Sequence, residues 1–167
     1  AISLAEARTR TFARRKIFIV STPTISGASA IEREYEASDQ RRYFVPCPHC
    51  NHPQWLRFEQ LRWDKGAPET AAYICESCDT AISEHHKTWM LERGEWQPMA
   101  QGKTAGFHLS SLYSPVGWRS WRDIAAAWEA AVNKESGSAA AIKTFKNTEL
   151  GETWVEEGEA PDWQRLV

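Results

Sequence analysis

The chain has 167 residues, 42% of them apolar and 25% charged, with a formal net charge of −2. That composition suits one ordinary core, or a core with a small metal-held module, and excludes a disordered chain or a uniform polyanion binder. The apolar runs, such as Ile17 to Val20, are far too short to span a bilayer, and no signal-peptide stretch is present, so a soluble cytoplasmic protein is expected.

The chain opens Ala1-Ile2-Ser3-Leu4 and carries its two methionines at Met90 and Met99, which reads as a piece of a longer protein. Charge is unevenly placed. Arg8, Arg10, Arg14, Arg15 and Lys16 lead, while Glu149, Glu152, Glu156, Glu157, Glu159 and Asp162 close the chain; each run reads as a solvated face or a local patch. Leu4 to Phe12 is rich in helix formers, and Lys16 to Ser21 has the apolar, β-branched character of a buried strand. A helix feeding such a strand indicates an α/β (α+β) fold. Pro23, which lacks an amide proton, stops the strand, and Gly27 permits a turn.

Ser29 stands three residues before Glu32, the pattern of a capping box opening a charged helix that runs to Asp39. Strand character returns at Arg41 to Val45, Gln54 to Phe58 and Ala71 to Ile74. Glu84 to Arg93 reads as a helix with Trp89 and Met90 on its apolar side and Gly94 as its stop. A short strand is expected at Ala105 to Leu112. The clearest helix is Trp121 to Val132, where Trp121, Ile124, Ala125, Trp128 and Val132 share a face and Ser120 with Asp123 makes a second capping box. Ala139 to Leu150 gives a last helix, with Ile142 and Phe145 inward and Gly151 at its end.

The four cysteines form two Cys-x-x-Cys pairs, Cys47 with Cys50 and Cys75 with Cys78, each at the end of a strand. A two-residue gap lets a tight turn present two thiolates to one ion while its amides bond the sulfurs, and two such knuckles complete the tetrahedron that zinc prefers. Asn51 and Asp79 follow the pairs where many ribbons carry glycine; they are the residues that best tolerate a positive φ. Iron in the same cage, a disulfide or a redox pair are the alternatives. Four thiolates leave no open position for water, so the expected role is structural. On this division Cys75→Ser should unfold the ribbon far more than the Trp121 to Val132 helix.

His49 and His52 flank the first knuckle and are read as neighbours of the cage, His85 and His86 as poorly placed for one metal, and His108 as a satisfied, partly buried histidine. Nine tryptophans raise the question of base stacking by Trp55, Trp63, Trp118 and Trp121, against core packing. Arg41, Arg42, Arg57 and Arg62 are nucleic-acid candidates, with surface solubility as the alternative. No G-x-x-x-x-G-K-[ST] loop and no dinucleotide fingerprint occurs, so the chain alone is not expected to bind ATP well.

Several unrelated stretches in one order, AEARTRTF, KIFIVSTPTISGASAIEREYEASDQRRYFVPCPHC, AAYICESC, TAGFHLSSLYSP, GWRSW and KTFKNTELGETW, closely resemble the large terminase subunit of tailed bacteriophages, the lambda-type family. The resemblance implies a parent that is an ATP-driven DNA-packaging motor with an N-terminal ATPase and a C-terminal metal-dependent endonuclease. ATP and Mg would belong to the intact parent, and zinc to this piece. DNA, the small terminase subunit, other terminase subunits and the portal are the implied partners, the host cytoplasm the implied location, and no membrane is involved.

On that resemblance residues 1–40 end the ATPase domain, at the edge of a P-loop-type sheet, and 41–83 form the zinc ribbon of short antiparallel strands. Residues 84–151 make a linker with the C-terminal helices, and 152–167 begin the nuclease region. Ser21, Thr22 and Pro23 resemble the coupling motif that senses the γ-phosphate after the Walker B strand. The competing reading is a self-contained zinc-ribbon nucleic-acid-binding module, with arginines on phosphates and tryptophans on bases.

Overall fold

In the computed structural model, residues 2–133, 135 and 137–155 are described, so the acidic close predicted from Glu156 to Asp162 lies outside them. Helix α1 (Ile2–Arg8) gives way to turns and then to a stretch without regular structure that reaches residue 24. The strand expected at Lys16 to Ser21 is not formed, and Ile17, Phe18 and Val20 are 45%, 86% and 75% exposed. A strand needs a neighbour to take its amides and carbonyls, and none of the described strands lies beside this one. A P-loop-type sheet edge is therefore not seen in this part of the chain.

Helix α2 (Ala30–Glu36) starts at Ser29, whose extended backbone occupies the N-cap position while its hydroxyl makes no capping bond. The expected capping box is replaced by a longer reach. The turn at Gly27, with φ of 76°, brings the Gly27 amide within 2.7 Å of the Glu32 carboxylate, which also accepts from the Ser26 hydroxyl.

Strand β1 (Arg41–Pro46) is the hub of a four-stranded sheet. It pairs antiparallel with β2 (Pro53–Trp55), placing Phe44 opposite Trp55. A second antiparallel partner, β6 (Glu95–Gln97), places Trp96 opposite Tyr43, and β7 (Phe107–His108) adds a short parallel pairing at Arg41 and Arg42. The second sheet is an antiparallel trio of β3 (Leu61–Asp64), β4 (Ala67–Ile74) and β5 (Ala81–Ile82). Strands β3, β5 and β6 are too short and too polar to be read from alternation, which is why the sequence pattern misses them. The region expected to be one strand from Ala105 to Leu112 is β7 followed by a 3-10 turn at Ser111–Tyr113.

Helix α3 (Lys87–Glu92) follows a 3-10 turn, buries Met90 and ends before Gly94. Helix α4 (Trp121–Val132) has both halves of the Ser120–Asp123 capping box. Trp121, Ile124, Ala125 and Ala131 are buried on it, Trp128 is half-buried, and Val132 at the C-terminal end is turned outward. Helix α5 (Ala139–Phe145) runs into a π-helical turn, Lys146–Leu150, stopped by Gly151 in the left-handed region at φ 66°.

One buried cluster joins these parts. Val45, Leu61 and Tyr73 from the sheets meet Trp121 and Ile124 from α4 and Phe145 from α5. Tyr73 packs against Trp121 at 5.9 Å, and the Trp121 indole donates to the Leu112 carbonyl. Phe58 is surrounded by Trp63, Trp128 and Phe145 at 5.2–6.0 Å. Lys87 is fully buried; its ammonium donates to Glu84 at 2.5 Å and lies 5.3 Å from the Trp121 ring, and Glu84 also accepts the Trp121 amide. Among the described residues no helix is long and apolar enough to cross a membrane.

Candidate metal centre

Each knuckle is a tight turn closed by the same backbone bonds. Asn51 N–H donates to the Cys47 carbonyl at 2.9 Å and Asp79 N–H to that of Cys75 at 3.1 Å. The Cys47 amide in turn reaches the His52 carbonyl, and the Cys75 amide that of Thr80. Asn51 and Asp79 sit at φ 60° and 54°, the conformation expected of them at the sequence level. Within the turns, the His49 amide points at the Cys47 sulfur and the Ser77 amide at the Cys75 sulfur, both at 3.4 Å.

The first knuckle follows β1 and the second follows β4, so each sheet supplies one of the pairs that meet. The four sulfurs lie within 4.8 Å of one another. Cys47 and Cys78 are 3.9 Å apart, and Cys50 and Cys75 are 3.7 Å apart. A tetrahedron with metal–sulfur distances of about 2.3 Å has edges of about 3.8 Å, so the donor set fits a four-thiolate ion, and the separations are far too long for disulfides. Burial pushes the Cys47 thiol up to about 12, while bonds from the Thr80 hydroxyl and amide pull Cys78 down to about 6. Cys47 and Cys75 are wholly buried and Cys50 is exposed, so the cluster has one face to the core and one to solvent.

Polar side chains tie the knuckles to each other. Gln54 is fully buried and accepts the Glu76 amide at 3.0 Å, and the Glu76 carboxylate takes His52 at 3.0 Å and Arg57 at 2.6 Å. Gln54 and Glu76 escape sequence reasoning. Glu76 is signalled only by its place inside the second Cys-x-x-Cys, and no local pattern marks Gln54. His49 lies against His86 at 5.6 Å, outside the sulfur cluster.

The four candidate arginines are engaged by the protein itself. Arg41 pairs with Asp39 at 2.8 Å and lies over Phe107. Arg42 bonds His108 and covers Trp55 at 4.6 Å; Arg57 holds Glu76; Arg62 donates to the Glu59 and Leu61 carbonyls. His108 donates through Nε2 to the Gly151 carbonyl at 3.0 Å, which leaves Nδ1 to accept from Arg42. Burial, reinforced by the Arg42 charge, lowers its pKa to about 4. Of the tryptophans weighed as stacking platforms, Trp121 is buried, Trp63 packs on Phe58 and donates to Glu129, and Trp55 is covered, whereas Trp118 is 82% exposed.

Ser21, Thr22 and Pro23 lie apart from the sulfur cluster, in the irregular segment. Directly after them the chain is gripped: the Thr24 carbonyl accepts the Trp154 amide and the Ser26 amide donates to the Trp154 carbonyl, both at 2.9 Å, forming an isolated parallel bridge at Ile25. With its side-chain amide turned to satisfy its neighbours, Asn147 donates to the Thr24 and Glu152 carbonyls at 3.1 and 2.8 Å.

Residues 1–96 match the family described as phage terminase large subunit gpA, ATPase domain, and residues 104–167 match terminase large subunit gpA, endonuclease domain. The large terminase subunit of Enterobacteria phage P21 is 34% identical over 88% of this chain and 26% of its own length. That of Escherichia phage lambda is 31% identical over 85% of this chain and 25% of its own. The chain thus spans about a quarter of the length of the curated relatives it matches. No solved structure matches it. With more than half of its residues covered by the gpA ATPase family and most of the rest by the companion endonuclease family, the chain belongs to the phage terminase large subunits.

Proposed function

We propose that this chain is the joint of a DNA-packaging motor, linking the end of an ATPase to the start of an endonuclease around a structural zinc held by Cys47, Cys50, Cys75 and Cys78. The observation that carries the reading is the succession of the two families along one chain, with the four-sulfur cluster between α2 and α3. Residues 1–40 are assigned to the ATPase, 41–83 to the ribbon, 84–151 to the connection and 152–167 to the first part of the nuclease region. Zinc, once bound, supplies stability and no open coordination position. ATP and Mg act in the intact subunit, whose partners are DNA, the small subunit and the portal, in the host cytoplasm.

Ser21, Thr22 and Pro23 are the proposed coupling residues. Small hydroxyls ahead of a proline suit a sensor, because a short side chain can gain or lose one bond without repacking. The grip of Thr24 and Ser26 on Trp154 supports this role, since a shift at 21–23 has a direct backbone route to the region that follows α5. The P-loop-type sheet to which Lys16 to Ser21 would add is proposed for the longer subunit; the exposure of Ile17, Phe18 and Val20 is what an unpartnered strand shows. A self-contained nucleic-acid-binding ribbon is disfavoured, because Arg41, Arg42, Arg57 and Arg62 are already bonded within the protein.

Two measurements test the reading. Protein purified without added metal should carry about one zinc per chain; less than a tenth of that in a folded sample refutes the cage. In the intact subunit, Thr22→Val should leave nucleotide binding unchanged while DNA-stimulated ATP turnover falls at least roughly tenfold, the effect of about 1.4 kcal/mol in the barrier. Wild-type turnover and packaging would remove the coupling role.

A further inference from the structure

Each knuckle is closed by bonds within its own turn, so each can keep its two sulfurs together unaided. No local bond fixes one turn against the other, because Cys47 and Cys50 follow β1 while Cys75 and Cys78 follow β4, in different sheets. Among the described residues, the bonds other than those of sulfur that run from residues 52–57 to the second turn all meet at Glu76. Its amide donates to Gln54 Oε1 at 3.0 Å, and its carboxylate holds His52 at 3.0 Å and Arg57 at 2.6 Å. His52 leads back to the first turn, since its carbonyl accepts the Cys47 amide at 2.9 Å.

These bonds differ in kind. The His52 and Arg57 side chains are 39% and 38% exposed, and an ion pair so open to water fixes little. Gln54 is fully buried, and its Nε2 finds no acceptor among the described residues. Buried amides are almost always bonded, and an apolar chain of equal length would fill the same space without stranding a donor. Stability is therefore a poor reason for a carboxamide here. What it alone supplies is an acceptor aimed at the amide of the residue that follows Cys75. From this we infer that Gln54 is a positioning residue of the metal cage, whose bond to the Glu76 amide sets the second pair of thiolates within reach of an ion held by the first. The inference rests on the zinc reading and names the group that governs how tightly the ion is kept.

The first turn shows how specific the bond is. Pro48 stands in Cys47-Pro48-His49-Cys50 where Glu76 stands in Cys75-Glu76-Ser77-Cys78, and proline has no amide hydrogen to give. A knuckle of this kind therefore closes without that donor, and the Glu76 N–H serves the contact between turns rather than its own turn. Groups behind metal ligands act by holding them in place beforehand, and losing one typically costs about 10–100-fold in affinity.

The test is zinc competition against a chromophoric chelator, with cobalt(II) absorption as a second readout, on the 167-residue chain. Gln54→Met should weaken zinc binding by about 10–100-fold and shift the cobalt ligand-field bands, which report the geometry of the bound ion. Glu76→Pro deletes the same bond from its other end, in a kind of turn that Pro48 shows to accept proline, and should match it. Combining the two should cost no more than either alone. Glu76→Ala keeps the amide and loses only the carboxylate, so its zinc affinity should stay within about threefold of the parent. Tyr113→Phe weakens the same core through its bonds to Leu56 and Tyr43 and should leave the cobalt bands unchanged, the result that a purely structural role would give for Gln54→Met as well. Zinc affinity within about threefold of the parent in both Gln54→Met and Glu76→Pro overturns the inference. Unshifted cobalt bands in Gln54→Met, or a loss in Glu76→Ala equal to that in Glu76→Pro, also overturn it. Should Gln54→Met not fold, Glu76→Pro against Glu76→Ala decides alone. Failure of the zinc reading is distinct: there the parent chain itself holds no zinc, and cage and positioning role fall together.

Discussion

Tyr113→Phe removes a single hydroxyl that joins two parts of the chain assigned to different families. Tyr113 is 6% exposed, and its hydroxyl accepts the Leu56 amide at 2.6 Å and donates to the Tyr43 carbonyl at 2.7 Å. Leu56 is 3% exposed, so its amide has no route to water once the oxygen is gone. An unpaired buried donor costs about 1–3 kcal/mol, and the second bond adds about 1 kcal/mol net, giving a loss of about 2–4 kcal/mol. For a chain of this size that lowers Tm by roughly 4–16 °C. Tyr43→Phe is the matched control: its hydroxyl donates to the Leu91 carbonyl, which also accepts from Gly94, so the loss should be about 1 kcal/mol or less. Urea unfolding followed in parallel by tryptophan fluorescence and far-UV circular dichroism reads both. A Tyr113→Phe loss below about 0.5 kcal/mol, or no larger than that of Tyr43→Phe, would show that the weld between the ribbon and the Ser111–Tyr113 turn carries no load.

Cys75→Ser should abolish zinc retention and unfold the sheets and α4 in one transition, because Tyr73, two residues away, packs directly on Trp121. Sequence patterning alone assigned these to separate units, and α4 helicity surviving loss of the ribbon would restore that view. His108 gives a pH signature. Its folded pKa of about 4 lies below the ordinary imidazole value of 6.5, so the unfolded chain binds the proton first, and stability present above pH 6.5 is lost as pH falls towards 4. The full shift corresponds to about 3 kcal/mol. Replacing His108 with glutamine should flatten the decline in that window, and an unchanged pH profile would refute the assignment of buried neutral imidazole.

How much of this was legible beforehand depended on whether the determining contacts were local. The α4 boundaries and its capping box follow from 3.6-residue periodicity and from Ser120 and Asp123, which lie three apart, so no distant partner was needed. The cage was equally readable. Each knuckle is built within a few residues, and the positive φ of Asn51 and Asp79 follows from turn geometry. Where the outcome hung on a neighbour, patterning misled. Ser29 and Glu32 have capping-box spacing, yet the Gly27 turn offers the carboxylate a better donor. Lys16 to Ser21 has strand composition, yet composition cannot supply the adjoining strand whose hydrogen bonds it requires.

The candidate arginines show the same division at the functional level. Sequence position beside the cysteines made Arg41, Arg42, Arg57 and Arg62 look available, but availability depends on Asp39, His108, Glu76 and Glu59, two of which, His108 and Glu76, reach them from distant parts of the chain. The sequence by itself determined the four-thiolate donor set, the main helices and the family, since ligand chemistry, periodicity and ordered motifs are written in one dimension. Only the tertiary structure decided that the two knuckles converge, that the ribbon and α4 share one core, that Trp154 clasps the segment after Pro23, and that Arg41, Arg42, Arg57 and Arg62 are bonded within the protein. Each of these is a matter of which groups meet across the fold, where a hydrogen bond or a buried ring contact outweighs any local preference.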